Sequence, residues 1–137
     1  MFFKDSTDKN ERNHLIKIAA LLIHAAKIDQ NFSSQEKHLI RQALLKFGAT
    51  NQNVDEILKN GKEAENNSNQ ILDFTKEVKN MREDDKIKII ETLWRIIYSN
   101  KEADIYETNL MRRLSGLLYI DSKIMGDIKL KIENENS

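Results

Sequence analysis

A chain of 137 residues with no proline, no cysteine and only four glycines has the length of one domain and lacks the punctuation that many β-turns require. Twenty-two basic residues balance twenty-two acidic ones, so no net field holds nucleic acid, and the missing cysteine excludes disulfides, thiolate catalysis and sulfur-rich zinc sites. What remains is an all-α fold, expected as one compact domain over residues 14–132 with an N-terminal extension over 1–13 and a disordered tail over 133–137.

The start, Met1-Phe2-Phe3-Lys4-Asp5, turns polar through Asn13, so no signal-peptide apolar region is expected. Over residues 15–28 the apolar side chains wrap most of a helical circumference and leave His14, Lys17, His24 and Lys27 as the polar minority. Such a helix has to be surrounded by others. It is also well short of the roughly 20 apolar residues that cross a bilayer, so no transmembrane segment is predicted. Ser33-Ser34-Gln35-Glu36 then opens a second helix with an N-cap serine and a glutamate three residues on, the pattern of a capping box. That helix presents Leu39, Ile40, Ala43, Leu44 and Phe47 inward, and Gly48 is placed to close it in a left-handed conformation. A short helix is expected near residues 54–58, followed over 60–70 by a polar connecting loop or a solvent-exposed helical turn, and then by an amphipathic helix over about 69–81.

The next helix, residues 87–99, turns Ile89, Ile90, Leu93, Trp94, Ile96 and Ile97 inward. Trp94 and Tyr98 stand one turn apart, which reads as core packing rather than a base-stacking platform. Asp104-Ile105-Tyr106-Glu107 repeats the capping pattern, Leu110, Met111, Leu114, Leu117 and Leu118 form an inward stripe, and a last helix covers about 124–132. The second half thus echoes the first. With an offset of seventy-one, residues 15–58 fall on 86–129 without a gap, superposing Ile16 on Ile87, Leu22 on Leu93, Glu36 on Glu107, Arg41 on Arg112 and Ile57 on Ile128. This is the mark of a duplicated helical unit.

No residues converge on a reaction. The three histidines share no metal-ligand spacing with the acids, no serine sits in a nucleophile elbow, and no glycine-rich loop could cradle a phosphate. The chain is therefore expected not to be an enzyme. Two surfaces remain as sites. Asp29, Asn31 and Glu36 at the first turn, with Glu107 at the second, offer oxygens to a hard cation, although without the twelve-residue loop of an EF-hand. Lys37, Arg41, Arg112 and Arg113 form a basic set suited to a protein partner or a membrane headgroup.

Two stretches carry a likeness to a family. Ala25-Ala26-Lys27-Ile28-Asp29-Gln30-Asn31-Phe32-Ser33-Ser34-Gln35-Glu36 at the first turn, and Leu93-Trp94, Tyr106-Glu107 and Arg112-Arg113 with Leu117-Leu118 in the second half, resemble the TerB-like family linked to tellurite resistance. The likeness covers about residues 15–130. It implies a bundle of about seven helices built from two similar repeats, with no catalytic reaction, found in bacterial cytoplasm or peripherally at the inner membrane. It further implies a stress-response setting, protein partners, and a weakly bound divalent cation as the one cofactor to look for, at Asp29, Glu36 and Glu107. The sequence departs from the family at Gln30, where glycine is usual, and at Ser99-Asn100-Lys101, where Ala-Asp-Gly would stand.

Overall fold

The structure, a computed structural model, describes residues 2–27, 33–67, 71–99 and 105–135, with side chains from residue 11 onward and, after the third break, from residue 108. Among these residues there are seven helices and no strand: α1 (Phe2–Ala26), α2 (Ser34–Lys46), α3 (Val54–Asn67), α4 (Leu72–Lys79), α5 (Glu83–Tyr98), α6 (Ile105–Leu117) and α7 (Ser122–Glu135). The all-α bundle expected from composition is what forms.

Helix α1 is central because it has nowhere else to go. From Ile18 to Ala26 every residue except His24 is at most 1% exposed, so its whole circumference is covered, by α2, α3, α4 and α5. Helix α5 takes the matching place in the second unit, with Ile89, Ile90, Leu93, Ile96 and Ile97 all at 0% exposure. Burying an aliphatic side chain of this size contributes about 1.5–3 kcal/mol, so these two helices carry the largest share of the hydrophobic stabilisation. Three buried polar side chains donate to backbone carbonyls: Thr75 to that of Leu72, Thr92 to that of Lys88, and the Lys86 ammonium across to that of Leu118 at 3.2 Å.

The duplication is visible in hydrogen bonds as well as in letters. Ala49 N–H donates to the Leu44 carbonyl at 2.9 Å, and seventy-one residues later Ile120 N–H donates to that of Ser115 at 3.0 Å. Val54 N–H to the Thr50 carbonyl is repeated by Met125 to Asp121. Gly48, closing α2, has φ +117°, and Tyr119, its counterpart after α6, has φ +57°. Both units therefore turn from second to third helix through one left-handed residue, whether or not it is glycine.

Three boundaries differ from the sequence expectation. Of the stretch assigned to an extension over 1–13, the part from Phe2 onward is the beginning of α1, and no glycine or proline interrupts it. The stretch over 60–70, expected as a connecting loop or an exposed helical turn, continues α3 to Asn67. The reason is close packing: Gly61 lies so near α1 that a Cβ placed there would come within 2.7 Å of the Ala19 Cβ and 3.3 Å of the Ala20 nitrogen and the Ile16 oxygen. The tail expected to be disordered is helical through Glu135, held on α5 by Arg95, which donates to both Glu135 oxygens at 3.2 and 3.3 Å, and by the Tyr98 hydroxyl, which donates to Glu133 at 3.3 Å.

Gly61→Ala should destabilise the protein by about 1–3 kcal/mol through overpacking. Gly126→Ala, at a helical position where a Cβ meets nothing within 4 Å, should be neutral or stabilising by up to about 1 kcal/mol from helix propensity. Denaturant unfolding of both variants checks the pair. A second prediction concerns alkali. Burial first, then the charge and hydrogen bond of Glu133, raise the Tyr98 hydroxyl above its usual pKa of 10.0, so the unfolded chain gives up this proton more readily. The associated stability is present below pH 10 and is lost as the pH rises through the folded value. Tyr98→Phe should flatten that part of the decline, measured as unfolding midpoints on either side of pH 10.

Candidate functional site

At the first turn the capping box forms as written in the sequence. The Ser33 N–H donates to Glu36 Oε1 at 2.8 Å and the Glu36 N–H to Ser33 Oγ at 3.1 Å. Glu36 is 1% exposed, and one of its oxygens is thereby engaged at the helix start. Of the other residues expected to attract a cation, Asp29 and Asn31 lie outside the described residues, as does the side chain of Glu107. No group of three or more histidine, aspartate or glutamate side chains is placed to hold a metal ion among the described residues.

The basic set divides between two settings. Arg41 lies on α2 and donates through Nε to Asp55 Oδ1 on α3 at 3.3 Å, with Lys37 exposed one turn earlier. Arg112 and Arg113 are exposed on α6, and Arg112 lines an open groove of about 370 Å³ between α5, α6 and α7. The floor of that groove is apolar and mostly buried: Trp94 is 3%, Met111 1% and Met125 7% exposed. Lys129 stands on its α7 wall with Nζ 5.7 Å from the centre of the Trp94 ring, within cation–π range. Trp94 also stacks on Tyr98, ring centres 6.0 Å apart, and its buried Nε1 finds no acceptor among the described residues. An indole N–H left so costs about 1–3 kcal/mol.

Two further clusters were not foreseen. His14 and Lys17 on α1 meet one carboxylate, Glu77 of α4, at 2.9 and 3.8 Å. His24 and Lys27, ten residues on, meet Glu65 of α3 at 3.3 and 2.7 Å. The repeated His-x-x-Lys spacing was legible, but the acids that answer it come from stretches read as a polar connection and an amphipathic helix. These pairs staple α1 to its neighbours, and one of them borders a cleft of about 830 Å³ between α1, α3 and α4, whose Lys17 and Glu77 are already engaged with each other. The α5–α7 groove is different, since its cations face an apolar floor and no acidic side chain among the described residues lines it. In the sequence Trp94 reads as packing and nothing singles out Lys129; the only signal that could have joined them is the turn of α7 beginning at Gly126.

An all-helical bundle of two like units, each with a buried central helix and a second helix ending in a left-handed turn, is the class of protein that this fold defines. The family model of the tellurite resistance protein TerB matches residues 15–130, and the chain belongs to the TerB family. No curated protein and no solved structure matches it. No helix among the described residues is long and apolar enough to cross a membrane.

Ser33→Ala should cost about 1 kcal/mol of stability through the lost cap, by the same amount with and without millimolar calcium, magnesium or manganese. Thermal unfolding in each ion checks this.

Proposed function

We propose that this TerB-family chain is a non-enzymatic interaction module that binds another protein in a bacterial stress response of the tellurite type, in the cytoplasm or peripherally at the inner membrane. The observation that carries the reading is the α5–α7 groove, where Arg112 and Lys129 flank Trp94, Met111 and Met125. Aromatic, methionine and arginine side chains are the residue types that interfaces concentrate, and methionine adapts its shape to what it meets. The engagement of Glu36 in the helix cap favours this reading over a cation sensor built on Asp29, Asn31, Glu36 and Glu107. A sensor would give binding heat on calorimetric titration with calcium, magnesium or manganese; the interaction module gives none at millimolar ion.

The direct test is affinity purification from the native host, with and without tellurite stress, using the wild-type chain beside a double variant, Arg112→Glu with Lys129→Glu. At least one protein should be retained by the wild type and lost with the variant. Identical sets from both would overturn the reading.

A further inference from the structure

The two units answer the same chemical question in opposite ways. In the register set by the repeated hydrogen bonds, Arg41 of α2 corresponds to Arg112 of α6, and Asp55 of α3 to Gly126 of α7. In the first unit the arginine meets the aspartate at 3.3 Å, so a carboxylate carried on the neighbouring helix answers the guanidinium. In the second unit the carboxylate is gone. Gly126 stands in its place with nothing within 4 Å of where a Cβ would be, and Arg112 has no ion pair among the described residues. One turn further along, Leu58, half-buried against the core in α3, corresponds to Lys129, whose charge adds to that of Arg112.

From this asymmetry we infer that the α5–α7 groove receives an acidic side chain of a partner protein, an aspartate or glutamate flanked by an apolar residue, whose carboxylate takes the place at Arg112 that Asp55 holds at Arg41. The inference rests on the protein-binding reading above and names the partner's chemistry. Arg112 offers a planar donor fork that matches a carboxylate, with Lys129 as a second cation. The apolar residue beside the acid covers Met111, Met125 and the Trp94 ring, and a space of about 370 Å³ suits a few side chains rather than a whole helix face. Among the described side chains no acid lines the groove: Asp121 accepts the Lys123 N–H at 2.9 Å as a cap on α7, and Asp127 is exposed. An anionic membrane is the poorer match, because such surfaces are read by clusters of four to eight basic residues, whereas this groove has two cations around a recessed floor.

The chain holds one tryptophan, so its emission reports on the groove without a label. Random-peptide display on the full-length chain should enrich sequences that place Asp or Glu beside Leu, Met or Phe, and the synthetic peptides should shift Trp94 fluorescence on titration. Arg112→Glu should weaken them at least about tenfold, as expected for loss of an interfacial charge pair. Gly126→Asp, which rebuilds the carboxylate of Asp55 within the chain, should do the same by closing the groove, while Gly116→Ala, at an exposed position that is not part of the groove lining, keeps the affinity. Circular dichroism confirms that each variant is folded. Enrichment of peptides without acids, binding unaffected by Arg112→Glu and Gly126→Asp, or a Trp94 response to phosphatidylserine vesicles but not to the peptides would each overturn the inference. A host partner that still binds the Gly126→Asp chain would sink it while leaving the protein-binding reading intact.

Discussion

Everything in this bundle is arranged around a helix without a polar side. Between Ile18 and Ala26 only His24 keeps contact with water, so α1 is stable only when four other helices enclose it. Most helical stability in proteins comes from packing of this kind rather than from intrinsic propensity. The approach on one side is backbone against backbone, Gly61 against Ala19 and Ala20, and side-chain volume there is fixed to within a methyl group. On its wetter edge α1 is held by two carboxylates, Glu77 and Glu65, each meeting a histidine and a lysine. Partly exposed pairs of this type contribute modestly; their geometric effect is to fix the rotation of α1 about its own axis.

The sequence was legible where the physics is local or periodic. The encircling apolar pattern that begins at Leu15, the capping box of Ser33 and Glu36, the left-handed closure at Gly48 and the seventy-one-residue offset are patterns readable from the letters alone, and the structure shows each of them among the described residues. The boundaries that differ were decided at a distance. Residues 60–67 are too polar to announce a helix, yet Gly61 can approach α1 as no other residue could. Residues 133–135 look like a frayed end until Arg95 and Tyr98, some forty positions earlier, are found beside them.

The site was less legible for the same reason. Arg41 and Arg112 were singled out together because the repeat aligns them, but what separates them is the residue opposite, Asp55 in one unit and Gly126 in the other. A glycine within a helical pattern is a weak signal by itself. It gains meaning only when the neighbouring helix is known to present a cation there, with an indole beneath. The TerB family relationship defines the frame in which these differences are read and is silent on which of the two units meets a partner.

The turn after α6 carries a final implication. Tyr119 occupies a left-handed backbone that glycine takes freely and that costs an ordinary L-residue about 1–2 kcal/mol. It is kept there by parts of the chain that precede it: Lys79 of α4 lies over its ring at 5.1 Å, and Lys86 of α5 holds the adjoining Leu118 carbonyl. The second unit's turn is therefore braced by its own central helix and by α4, which belongs to neither repeat. Though they descend from a common pattern, the halves are not autonomous, because α1 and α2 of the first pack directly on α5 of the second.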